Sequence, residues 1–139
     1  MKYTKCSQGY IIRLEKGEQI IQAIKDFCKT YTITSAYFNG IGAVQNAELG
    51  YYRLDQKEYS WKKFDTAMEV VSLTGNVSQV DGEPFLHIHT VLAYENFQTA
   101  GGHLKEAVVG ATLEIFMQTV DTKLTRFMDD EIGLKLLTF

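Results

Sequence analysis

"EPFLHIHTVLAYENFQTAGGHL", residues Glu83 to Leu104, holds every histidine of the chain: His87, His89 and His103. Period-two alternation sends Phe85, His87, His89, Val91 and Ala93 to one face of a strand. Leu86, Ile88, Thr90, Leu92 and Tyr94 then take the other face. His87 and His89 therefore share a side. His103 lies 14 residues beyond His89, a separation that suits an antiparallel return. With the turn centred near Asn96, His103 comes back opposite His89 and the three rings converge.

Neutral imidazole suits zinc, copper, iron and nickel, and three such ligands with a vacant position describe a reactive site better than a closed structural one. The expectation is one divalent transition metal, zinc first, on His87, His89 and His103, with a water, a small anion or a small molecule completing the shell. A lone histidine on a strand is ordinarily just packed or exposed; the convergence of all three is what points to a ligand set. Cupins also present an HxH pair from a strand, in a first motif that would here run from Gly82 through His87 and His89 to Glu95 and Gly101. Here, however, the gap from Gly82 to His87 is one residue short and the gap from His89 to Glu95 one too long. The second cupin motif is absent. A metal with an open position also allows catalysis on a small molecule as a second reading, with Glu69, Glu95 and Glu114 as candidate general bases. No residue pattern names a substrate.

Outward from this segment, "GYIIRL" (Gly9 to Leu14) is short and β-branched, a strand. After Gly17 and Glu18, the residues Ile20, Ile21, Ile24, Phe27, Cys28 and Tyr31 recur at helical spacing, with Gln22, Lys25, Asp26 and Lys29 outward. "SAYFNGIGAV" reads as a strand interrupted by Gly40 and Gly42, whose GxG spacing fits a bulge or tight turn better than a phosphate loop. "AELGYYRL" and "KEYSWKKF" are two strands around Asp55-Gln56; their Tyr51, Tyr52, Tyr59, Trp61 and Phe64 suit cross-strand packing or a subunit contact. Met68 to Ser78, Pro84 to Tyr94 and Gly110 to Val120 add three strands, with turn signals at Asp81-Gly82 and Gly101-Gly102. "EIGLKLLTF" closes with another. About seven strands against one main helix imply a single α+β domain over residues 1–139, its sheet mostly antiparallel and its helix on one face.

With 139 residues, 45% of them hydrophobic, the chain can bury an ordinary core. Its formal net charge is −3, so the basic excess that releases counterions from duplex DNA is missing overall, and DNA contact is expected to be weak or indirect. Lys57, Lys62 and Lys63 read as a solvated face. Two cysteines, Cys6 and Cys28, form no disulfide framework, and Cys28 falls on the apolar side of the helix. No apolar run approaches a membrane span and "MKYTKCSQGYIIRL" has no signal-like hydrophobic stretch, so the expected location is cytoplasmic, without membrane contact.

Four motifs in order resemble the PPC family, the domain conserved between plants and prokaryotes. They are Ser72-Leu73-Thr74-Gly75, the run Asp81-Gly82-Glu83-Pro84-Phe85-Leu86-His87-Ile88-His89, Gly101-Gly102-His103-Leu104, and Gly110-Ala111-Thr112-Leu113-Glu114. The resemblance extends to "LEKGEQI", "NGIGAV" and "LTRFMDDEIGLKLL". It implies an α/β domain with a mostly antiparallel sheet, assembled as a homotrimer. It also brings a label, since bacterial members are often called DNA-binding proteins. Plant members carry AT-hooks, and this chain has no Arg-Gly-Arg core to enter a minor groove. Where the family tends to have glycine before "GGHL", this chain has Phe97.

Overall fold

The computed structural model describes residues 1–138. Nine strands and one helix lie within them: β1 (Lys2–Cys6), β2 (Gly9–Glu15), α1 (Ile20–Thr30), β3 (Ala36–Arg53), β4 (Glu58–Phe64), β5 (Met68–Val80), β6 (Glu83–Ala93), β7 (Thr99–Thr119), β8 (Thr125–Asp129) and β9 (Leu134–Thr138). The α+β class and the single helix agree with the sequence reading. Strand pairing is antiparallel apart from one parallel contact, Gln79 with Thr125. Phe139, the end of the expected last strand, lies outside the described residues.

Strand β7 organises the sheet. Over 21 residues it pairs with β2 and β3 along its second half and with β6 and β3 along its first. Strand β3 also pairs with β5, and β5 with β6, so β3, β5, β6 and β7 form a closed ring of neighbours. Helix α1 packs against β6 and β7. Between them lie Ile12, Leu14, Ile20, Ile24, Ile88, Leu113 and Ile115, all buried. Each such side chain stabilises the fold by roughly 1.5–3 kcal/mol relative to exposure.

Several expected boundaries differ. "SAYFNGIGAV" and "AELGYYRL" are one 18-residue strand, β3, with register shifts on either side of Gly42. A Cβ on Gly42 would stand 2.1 Å from the Thr112 carbonyl oxygen, so the glycine lets two strands approach at a bulge and cradles no phosphate. Gly101-Gly102 is not a turn. Both residues sit inside β7, paired with Val91 and Thr90. The chain reverses earlier, around Asn96, where Phe97 takes a φ of 64° and Tyr94 N–H donates to the Gln98 carbonyl at 2.8 Å. Strands β1 and β8 have no counterpart in the sequence reading; β1 is exposed along its whole length, so no apolar face marks it.

Helix α1 has no side-chain cap of its own. Instead the Glu106 carboxylate on β7 reaches its first turn, accepting from Ile21 N–H at 2.9 Å and Gln22 N–H at 3.4 Å. A negative charge at a helix N-terminus satisfies orphan donors and opposes the helix dipole. Glu106→Gln is therefore expected to cost about 1 kcal/mol, read as a lower urea midpoint at unchanged m-value. An unchanged midpoint would mean that the carboxylate contributes nothing as a cap.

Candidate metal centre

On β6 the alternation is as expected: Leu86, Ile88, Thr90 and Leu92 are buried, while His87 is half-buried and His89 exposed on the opposite face. The turn at Asn96 returns β7 so that His103 pairs directly with His89 on one side and with Gly50 of β3 on the other. Gly102 makes that approach possible, since a Cβ there would lie 2.7 Å from the Gly50 carbonyl oxygen.

The three rings meet. Their centroids are 5.1 Å apart for His87 and His89, 5.3 Å for His87 and His103, and 5.5 Å for His89 and His103. One nitrogen from each lies within 4.8 Å of the others. The Nε2 atoms of His87 and His89 are 3.3 Å apart. Two nitrogens on one tetrahedral zinc, each bonded at about 2.0–2.1 Å, would sit about 3.3 Å from one another. His103 Nδ1 is buried with no hydrogen-bond partner among the described residues, and an ion bound through it would satisfy it. Together the donor set fits a divalent transition metal.

Burial favours the neutral form of His87 and His103, which is the form that binds metal. His103 is pushed down to about 4, by burial first and then by the nearby His87 and His89. His87 is lowered too, by burial, then by Arg126 and His89. Aromatic residues of β3 and β4 form one wall: Tyr59 stacks on Trp61 at 4.7 Å, and its ring lies 5.0 Å from that of His103. Tyr52 packs against Tyr59 from the neighbouring strand. Cross-strand packing thus accounts for Tyr52, Tyr59 and Trp61, while Tyr51 is exposed and Phe64 joins the core.

The carboxylates expected as general bases are not at this centre. Glu69 and Glu95 line a separate cavity with Met68 and Phe97, and Glu114 lines another with Arg13 and Glu15. The residue that sequence reasoning missed is Arg126 of β8, whose Nη2 lies 3.5 Å from His87 Nδ1. Its only signal was its place in "LTRF", and nothing in a five-residue strand after a loop announces which face it takes.

The family model of the Plants and Prokaryotes Conserved (PCC) domain matches residues 1–121. Among solved structures, a plant- and prokaryote-conserved (PPC) protein from Pyrococcus horikoshii is 37% identical, with a TM-score of 0.88, covering 99% of this chain and 95% of its own. A metal-containing protein from Archaeoglobus fulgidus is 34% identical over 100% of both chains, with a TM-score of 0.87. A protein from Ralstonia eutropha JMP134, provisionally named DNA-binding, is 32% identical at a TM-score of 0.93, covering 99% of this chain and 96% of its own. No curated protein matches the chain.

The depressed His103 value sets a pH dependence. Unfolded histidine titrates near 6.5 and folded His103 near 4, so between these values the unfolded chain binds more protons. The stability is fully present above about 6.5 and is lost as pH falls toward 4. For metal-free protein we expect the urea midpoint to drop across that window, and to drop less in His103→Asn. Equal slopes would show that the fold does not hold this ring neutral.

Proposed function

The chain belongs to the Plants and Prokaryotes Conserved domain family, and from that premise we propose that it is a trimeric metal-binding module. His87, His89 and His103 hold one divalent transition metal, zinc first, with a position left open for a water, a small anion or a small molecule. The observation that carries this is the 3.3 Å spacing of two imidazole nitrogens, with the third ring opposite in register. The Archaeoglobus fulgidus relative, named as metal-containing, lends support. Bound there, the metal supplies Lewis-acid character to whatever oxygen occupies its open position. The protein's own share is to favour neutral His87 and His103 and to wall one side with Tyr59 and Trp61.

The face that bears the histidines supports the assembly. Residues paired across antiparallel strands share a face, and the pairings His89–Thr74, Thr74–Asn39, Asn39–Phe116 and Phe116–Ile11 run from the metal centre across the sheet. On it Tyr37, Ile41 and Phe116 are 52%, 59% and 57% exposed. An apolar face of this kind is one that copies of the chain cover. DNA contact in this account is weak or indirect, despite the provisional name of the Ralstonia relative, because the net charge of −3 gives no general phosphate-neutralising surface. No described helix is long and apolar enough to cross a membrane.

Protein purified without a nickel column is expected to carry one zinc per chain and to scatter light as about three times 15.8 kDa. His89→Ala should lose stoichiometric metal yet stay folded and trimeric, since Leu86, Ile88 and Leu92 are untouched. Full metal occupancy in the triple alanine variant would refute the site; unfolding of the single variant would make the metal structural. A monomer mass at micromolar concentration would remove the trimer. For duplex DNA near 150 mM salt, we expect no sub-micromolar binding, and salt-sensitive binding at that strength would reveal a local basic patch.

A further inference from the structure

Beside the histidines stands a charge that no described residue counters. Arg126 is 7% exposed, and three neutral groups hold its guanidinium. Nε donates to Ser78 Oγ at 2.8 Å, Nη1 to the Lys135 carbonyl at 2.8 Å, and Nη2 to Asn76 Oδ1 at 3.0 Å. Among the described residues no carboxylate comes within ion-pair distance of it. Burial lowers its pKa, yet arginine keeps its proton in proteins. A buried, unpaired cation is costly, and an anion is the partner that removes the cost.

The guanidinium faces a cavity of about 260 Å³ that also takes in His87 and His103. Its other walls include Phe85, Met128, Leu134 and Leu136, with the Phe85 ring 5.2 Å from the guanidinium carbon. Such walls select an anion with an apolar body over a fully hydrated inorganic ion. The contact between Arg126 Nη2 and His87 Nδ1 sharpens the selection. A neutral imidazole bound to metal through Nε2 carries its proton on Nδ1. That sets one N–H against another, and a single oxygen accepting from both resolves the conflict.

We propose that this cavity binds a small organic carboxylate. Its acid group accepts from Arg126 and from His87 Nδ1–H, and its apolar remainder lies along Phe85, Met128 and Leu134. The His87 donor rests on the metal reading above; the Arg126 donors do not. Because the metal fixes the His87 proton, metal and carboxylate each tighten the other by the same factor.

The test is calorimetric titration of butyrate, with butyramide as its uncharged counterpart, into zinc-loaded and zinc-free protein. Butyrate should bind at least tenfold more tightly than butyramide, and several-fold more tightly again with zinc present. Arg126→Gln, compared after loading with zinc to the same content as the parent protein, should erase the preference for the acid. Because Arg126 also ties β8 to β5, a second pair of variants avoids it: Met128 is 56% exposed at the cavity. There Met128→Lys should bind butyrate more tightly than Met128→Glu, while the two variants, having lost the same apolar contact, should bind butyramide alike. Butyrate no tighter than butyramide overturns the proposal, as does a preference indifferent to both Met128 variants. Zinc held by the histidines without any acid preference removes the carboxylate site alone. An Arg126-dependent preference for butyrate in protein that takes up no zinc removes the metal reading alone.

Discussion

The pairing of His89 with His103 across β6 and β7 fixes where the three histidines stand relative to one another. Because side chains alternate with a period of two, a slip of one residue would turn the His103 ring into the core and leave two histidines facing nothing. The register is held from both ends. At the turn, Phe97 takes a left-handed φ of 64°, and Asn96 Oδ1 accepts from Gln98 N–H at 3.1 Å. At the site, Gly102 lets β7 close on Gly50 where a side chain would collide. On these two strands Leu92 and Leu104 are buried, which penalises any shift by the burial free energy of both.

What the sequence made legible was the periodicity. Alternation over Phe85 to Tyr94 placed His87 and His89 on one face, and helical spacing picked out Ile20, Ile24, Phe27 and Cys28, all buried in α1. The 14 residues from His89 to His103 were enough to put them opposite each other. Long-range packing was less legible. Gly101-Gly102 carries the composition of a turn, but at Gly102 the reason for the glycine is the crowding of a third strand, β3, which lies far away in sequence. Arg126 arrives from β8, whose pairing with β5 is a single parallel contact, too slight for any local pattern. Glu69, Glu95 and Glu114 illustrate the converse: carboxylates near the motif in sequence that the fold sends to other cavities.

The site combines two electrostatic devices that point in one direction. Three imidazoles are gathered together, and burial favours the neutral form of His87 and His103, so these rings can offer lone pairs to a cation. A buried guanidinium beside them repels a proton on His87 as well, since its charge is one of the causes lowering that ring. The cluster is therefore poised to accept a metal and, next to it, an anion. The acidic balance of the whole chain is compatible with this locally positive pocket, because the charge that matters sits within a few ångströms and is only weakly screened where it is buried.

The central claim is that the three histidines converge to hold one metal. A crystal of protein grown with zinc and no affinity tag, measured on both sides of the zinc absorption edge, tests it most directly. The account predicts one anomalous difference peak per chain, bounded by the rings of His87, His89 and His103. Rings well ordered around no peak at full zinc saturation, or a peak held by other residues, would contradict it.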